Sequence, residues 1–295
     1  MLRPRLVGIS EKVTWVTPDT VQSRDLLADE EHIDIPKAMP HDVRATVTTT
    51  GRALSVLRQR RWDQVVSTGP LPAVPFMALA RAMGLACHFI ESAARVTGPS
   101  LTARILERIP GIFRYGQYQW GRENWEYRGS VFDGFVPTAL PEGRVRKIVV
   151  TVGVNGYGFP RLLDAVKRVA PSGADILWQT GATDVSELEI DAVPSMPTEE
   201  LFIAMQEADV VVAHAGVGSA LMAMRAGKCP VLVPREHSQG EHIDNHQDDV
   251  ALLLSRAGLA VRCSPPELDA AILDTAAQRQ VVRNTRATPF VLSTN

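Results

Sequence analysis

The chain has 295 residues, 45% of them hydrophobic and 22% charged, a globular balance with enough length for two domains that each bury a core. Net charge is −2, with 18 basic and 15 acidic side chains in residues 1–145 and 13 and 18 in the remainder. The mildly basic first half suits an anionic surface or a diphosphate-bearing ligand, though on charge alone ordinary surface variation is the better explanation. There is no strong basic stripe or stacking motif for nucleic acid, no G-x-x-x-x-G-K-[ST] loop for ATP, and no apolar run near the roughly 18 residues of a membrane span. The opening lacks the apolar core of a signal peptide. Cys87, Cys229 and Cys263 lack metal or redox spacing and read as buried thiols of a reducing cytoplasm.

Strand and helix patterns alternate along the chain. Strands are predicted at Lys12–Thr17, Gln64–Ser67 and Leu85–Ile90, and a helix at Val74–Met83. The turn-rich segment Pro137 to Arg146 is the candidate linker. A second series follows: strand 147–152, helix 160–169, strand 175–179, helix 198–207, strand 209–213, helix 217–226, strand 230–233, helix 244–257 and strand 259–263. Pro265-Pro-Glu267 then opens a last helix. Alternation of this kind implies parallel sheets with helices on both faces, in two α/β domains at 1–145 and 146–295.

Val210 to Gln247 carries the densest chemistry. An apolar strand breaks at His214-Ala-Gly-Val-Gly-Ser219, directly ahead of a helix. A glycine loop there lets phosphate oxygens approach the backbone, and the helix N-terminus behind it offers unpaired N–H groups and about half a positive charge. Gly216, Gly218 and Ser219 are assigned that role, with His214 as a phosphate donor; the bland alternative is a simple turn. After a second apolar strand, Arg235, Glu241, Asp244, His246 and Gln247 are candidates for uracil, diphosphate and sugar hydroxyls. His242 and His246 are four apart, with Glu241 and His237 nearby, so zinc is a competing reading. The order Glu-His-x-x-x-His differs from the metalloprotease His-Glu-x-x-His, and metal binding is ranked below sugar binding. Gly153, Asn155 and Gln179 are further candidates at the ends of the first two strands of this half, and Trp178 reads as core. No two aspartates stand two apart, so no cation-clamping DxD is present and no cofactor is expected.

Thr151-Val-Gly153 with Phe159-Pro-Arg-Leu-Leu163, Trp178-Gln-Thr-Gly181, His214 to Ser219, and Gly240-Glu-His-Ile-Asp-Asn-His-Gln247 resemble the catalytic subunit of the two-subunit UDP-N-acetylglucosamine transferases that build lipid-linked sugars. Upstream, Ser67-Thr-Gly69, Ile90-Glu-Ser92 with Arg95, and Gln119-Trp120 are similar to the partner subunit. The chain therefore looks like the two subunits fused, partner half first, with a family 28-like donor half. The resemblance implies a GT-B fold, two Rossmann-like domains facing across a cleft. It also implies an inverting, metal-independent hexosyltransferase acting from a UDP-sugar on a polyprenyl-diphosphate-linked acceptor, cytoplasmic or peripheral at the inner face of the membrane.

Two departures from the family stand out. Met1 to Val7 reads as the helix that should follow a first strand and glycine-rich loop, so that strand is expected to be missing. Met222 stands where relatives commonly carry a ribose-binding glutamate. A degenerate non-catalytic partner subunit and a UDP-sugar epimerase of the same architecture stay open for these reasons. Glu91, ending an apolar strand, is the candidate base, with a structural role holding Ser92 or Arg95 as the alternative. Arg95, Arg104 and Arg108 are candidates for the acceptor diphosphate, or plain helical surface charge.

Overall fold

The computed structural model describes residues 3–35, 43–59, 62–69, 71–141, 143–154 and 156–293. The chain divides into two compact units, Met1–Val131 with Thr288–Asn295, and Phe132–Ala287.

The second unit is built on a six-stranded, wholly parallel sheet. In chain order its strands and helices are β9 (Lys147–Thr151), α5 (Pro160–Val169), β10 (Asp175–Gln179), β11 (Ala192–Val193), α6 (Thr198–Glu207), β12 (Val210–His214), α7 (Val217–Arg225), β13 (Val231–Val233), α8 (His246–Arg256), β14 (Val261–Arg262) and α9 (Ala270–Ala277). The spatial order β11-β10-β9-β12-β13-β14 starts at the centre, runs outward to one edge, then returns to complete the other. These strands are near-continuous apolar runs because helices cover both faces; Ile148, Val149, Val150, Val211 and Val212 are fully buried. In α5 the apolar positions Leu162, Leu163 and Val166 pack into this core, each burial worth about 2 kcal/mol. Pro160 opens that helix where its missing N–H costs nothing.

The first unit has a four-stranded parallel sheet of β4 (Gln64–Ser67), β5 (Ala86–Ile90), β6 (Ile112–Gly116) and β7 (Glu126–Tyr127), and a parallel pair of β2 (Trp15–Pro18) and β3 (His32–Ile35). Its helices are α1 (Val21–Leu26), α2 (Val43–Gln59), α3 (Ala73–Ala82) and α4 (Leu101–Leu106). The C-terminal β16 (Phe290–Val291) returns to pair with β1 (Leu6–Val7). The expected helix at Met1 to Val7 is corrected: Arg3–Arg5 forms a single tight turn and Leu6–Val7 is strand. The linker segment is corrected as well. Its first residues belong to β8 (Phe135–Ala139), which pairs antiparallel with β15 (Arg279–Arg283). Pro137 is tolerated there because a two-stranded ribbon consists of edges. The helix expected from Pro265 is two elements, a turn at Pro265–Glu267 and then α9 capped by Asp269, which accepts the Ile272 N–H at 2.8 Å. All three cysteines are buried free thiols, and among the described residues no helix is long and apolar enough to cross a membrane.

Candidate functional site

The strand order of the second unit turns back between β9 and β12. In open α/β sheets such a reversal leaves a crevice outside the carboxyl ends of the two strands. The loop after β9, with Gly153, and the turn from β12 into α7, with His214, Gly216, Gly218 and Ser219, flank it.

His214, the last residue of β12, is buried with its imidazole wedged between two glycines. A Cβ at Gly153 would lie 2.7 Å from the ring's Cε1, and one at Gly216 would lie 2.3 Å from Nε2. Both contacts are below any real carbon approach, so the ring dictates glycine at the two positions. Gly153 also holds φ +73°, a conformation that a side chain would strain. Nδ1 of His214 is buried with no hydrogen-bond partner among the described residues. Burial, helped by the nearby Arg235 charge, lowers the His214 pKa to about 4, so the ring is neutral at physiological pH. Gly216 caps α7 in extended conformation, and the first helical bond runs from the Ala220 N–H to Gly216 O at 3.0 Å. The N–H groups of Val217, Gly218 and Ser219 precede that bond and are the orphan donors of the helix. Gly218 is exposed and a Cβ there would meet nothing, so open space, not crowding, surrounds it. Met222 lies half-buried one turn further on.

Four candidates are braces of the loops. Arg235, 1% exposed, donates from Nη1 to the carbonyls of Tyr157 and Gly158, both at 2.7 Å, and from Nη2 to that of Val152 at 2.8 Å. Its guanidinium lies 5.1 Å from the Phe159 ring centroid, and burial lowers its pKa. Gln247 is buried and accepts the Arg235 N–H at 3.2 Å. Gln179 accepts the Thr151 hydroxyl at 2.5 Å and donates to the carbonyls of Gly153 and Pro194. Glu241 takes both donors of a two-pronged contact from Arg161, each at 2.8 Å, and the Glu236 N–H at 3.0 Å. In this structure these side chains brace the loops with most of their polar atoms, and the buried Nε of Arg235 has no hydrogen-bond partner among the described residues. Asn155 lies outside the described residues.

Arg161 was missed by the sequence reading, although a signal exists. A cation in the first turn of α5 opposes the helix dipole and calls for a carboxylate partner. Glu241 and Glu236 supply it, and they raise the Arg161 pKa.

Asp244 and His246 sit together, with His242 as third member. The Nδ1 atoms of both histidines approach Asp244 Oδ1, at 3.2 Å for His242 and in close contact for His246. Tyr157 lies beside His242, ring centroids 5.7 Å apart. His237 is turned to the His242 carbonyl at 2.9 Å, and Glu241 is held by Arg161. The carboxylate beside the two histidines is therefore Asp244.

In the first unit Glu91 is buried, and its two carboxylate oxygens accept the N–H groups of Ser92 at 2.8 Å and Ser100 at 2.7 Å. That is the structural role left open beside the base. Arg104 is exposed on α4, whereas Arg95 is half-buried. Trp120 donates to the Val96 carbonyl at 2.8 Å.

Residues 147–292 match the glycosyltransferase family 28 C-terminal domain. The chain is 26% identical over 243 residues to the UDP-N-acetylglucosamine–N-acetylmuramyl-(pentapeptide) pyrophosphoryl-undecaprenol N-acetylglucosamine transferase of Chlorobium luteolum, covering 74% of this chain and 63% of that one. The enzyme of the same description from Prosthecochloris aestuarii is 27% identical, with 74% and 62% covered. The match thus spans a little under two thirds of these relatives' length. Among solved structures, the Acinetobacter baumannii MurG fold matches with TM-score 0.56 at 19% identity, covering 89% of this chain and 80% of that one. The glycosyltransferase SnogD from Streptomyces nogalater matches with TM-score 0.61 at 19% identity, covering 90% and 84%. The chain thus shares the fold of these glycosyltransferases, and its residues 147–292 match the family 28 C-terminal domain.

Proposed function

We propose that this chain is an inverting glycosyltransferase moving N-acetylglucosamine or another hexose from a UDP-sugar to a polyprenyl-diphosphate-linked acceptor. The observation that carries the reading is the His214–Gly216 corner, which sets the free N–H groups of α7 at the sheet's reversal point. Those donors and the helix dipole would stabilise the departing UDP as its charge develops, in place of a carboxylate-held cation. The names of the relatives support the donor and the lipid-linked acceptor. Asp244 and His246, between β13 and the first turn of α8 and partly exposed, would meet the sugar or ribose hydroxyls. In the first unit Arg95 and Arg104 are the cations suited to an acceptor diphosphate, and a lipid-linked acceptor requires contact with the membrane's inner face.

The test is calorimetric titration of UDP and UDP-N-acetylglucosamine into the chain, with and without EDTA. Binding of both ligands that survives chelation is expected. Absence of binding would overturn the reading in favour of a non-catalytic partner subunit, and loss with EDTA would overturn the metal-free diphosphate site. Turnover of UDP-sugar to its epimer without acceptor would replace transfer by epimerisation.

A further inference from the structure

We propose that His242, Asp244 and His246 form a binding site for one late first-row divalent cation of the zinc class. One ligand atom from each residue lies within 4.8 Å of the other two. Ligand atoms around a tetrahedral zinc stand about 3.3 Å apart, so small side-chain rotations would close the set. The donors are two imidazole nitrogens and one carboxylate oxygen, which suits zinc, cobalt or nickel far better than magnesium or calcium.

The local hydrogen bonding also favours a cation. Nδ1 of His242 faces the Asp244 N–H at 3.4 Å, the Asp244 carbonyl at 3.2 Å and the Asp244 carboxylate at 3.2 Å. One ring nitrogen is either a donor or an acceptor. As an acceptor for that N–H it leaves two oxygens facing its lone pair, and as a donor to one of those oxygens it cannot accept the N–H. A cation between Nδ1 and Oδ1 resolves the conflict with the nitrogen unprotonated.

The loop that presents the triad is already held in place. Glu241 is tied to Arg161 on one side, and His246 begins α8 on the other. Across the loop the His237 N–H donates to Asn245 Oδ1 at 2.9 Å. Asp244 is about a third exposed, 34%, so an ion can enter. Three protein ligands leave a fourth position open. A consequence follows that rests on the proposed function. Because Asp244 and His246 are the groups assigned to donor hydroxyls, an ion held by them competes with the UDP-sugar, and zinc acts as an inhibitor.

The test uses the untagged full chain, freed of metal with EDTA and dialysed. Zinc is titrated calorimetrically, and cobalt is followed by its visible absorption. One zinc per chain at low-micromolar affinity is expected, falling at least tenfold in Asp244→Asn and in His246→Gln, with His32→Gln, exposed in the first unit, unchanged. Asp244→Asn alters only a loop side chain and keeps the test valid if His246→Gln unsettles the start of α8. Equal zinc affinity in wild type and Asp244→Asn, or a cobalt spectrum retained in both variants, would overturn the site. UDP-N-acetylglucosamine is then titrated with and without one equivalent of zinc. Weakening by zinc supports competition, and independent binding of the two overturns it. UDP binding in metal-free protein reports on the proposed function separately, since zinc binding without any UDP binding would sink that reading and leave the metal site standing.

Discussion

Past β5 in the first unit, the buried carboxylate of Glu91 gathers two backbone N–H groups, from Ser92 and Ser100. Past β13 in the second unit, the buried guanidinium of Arg235 gathers four backbone carbonyls, from Val152, Tyr157, Gly158 and Glu241. Each brace satisfies buried backbone groups that a loop could not leave unpaired, but they remove opposite kinds of group. The anionic brace uses up amide donors, whereas the cationic brace uses up acceptors and leaves the N–H groups at the start of α7 free. Backbone N–H groups are therefore on offer to an anion in the second unit, whereas the first unit would have to meet one with side-chain cations such as Arg95 and Arg104.

The comparison breaks most directly at the braces. Arg235→Met would leave several buried carbonyls without donors, at a cost of about 4 kcal/mol. Glu91→Gln retains one acceptor oxygen and would cost about 1 kcal/mol. Urea unfolding of both variants measures this, and a smaller loss for Arg235→Met than for Glu91→Gln would refute the stated difference.

The units can also be compared through their buried histidines. His88 in the first unit is stacked on Phe113 and bonded to the Tyr115 hydroxyl at 3.1 Å, and burial lowers its pKa. His214 is lowered to about 4, against about 6.5 in an unfolded chain. The unfolded state therefore binds the proton more readily. Stability from His214 is fully present above about pH 6.5 and is lost as pH falls through 4, by about 3 kcal/mol. Substituting His214→Gln should flatten the stability curve over this window relative to wild type. A wild-type-like slope in the variant would show that His214 is not buried neutral.

A smaller contrast uses two glycines that both have positive φ. Gly181 in the second unit has φ +57°, and a Cβ there would stand 2.2 Å from the Gly153 carbonyl oxygen; Gly84 in the first unit has φ +82° and nothing nearby. Gly84→Ala should cost about 1 kcal/mol from backbone strain alone, and Gly181→Ala about 2–3 kcal/mol, since the Gly153 loop must also shift. Equal losses in thermal or urea unfolding would mean that the Gly153 loop yields freely.

The second unit was far more legible in sequence than the first, for physical reasons. Strand 175–179 and helices 160–169 and 198–207 fall at their predicted bounds, because strands covered on both faces are written as unbroken apolar runs between clear turns. In the first unit, α2 went unread because Thr48, Thr49, Thr50 and Gly51 interrupt its apolar face. In β15, Arg279-Gln-Val-Val-Arg283 shows no such run, and its partner β8 contains Pro137. At the site, the glycine–histidine corner was legible because only backbone and one ring define it. The bracing of Arg235, Gln179 and Glu241 was not, because a polar residue after a strand has the same sequence signature whether it faces a ligand or a carbonyl many residues away.

The smallest expected effect concerns Met222, which lies three residues after Ser219 on α7 and so on the same helix face. A glutamate there would place a carboxylate within one turn of the free amide groups, where it could accept ribose hydroxyl donors and also repel phosphate. The two effects separate by ligand. Met222→Glu should tighten UDP binding about three- to tenfold, the size of one added hydrogen bond. Pyrophosphate, which has no ribose, should bind equally or slightly more weakly. Stability should change by less than about 0.5 kcal/mol, because the position is half-buried and both residues favour helix. Calorimetry with the two ligands decides it. Equal gains for UDP and pyrophosphate would show that the carboxylate acts through the loop, and no gain for UDP would show that the ribose does not lie along this face of α7.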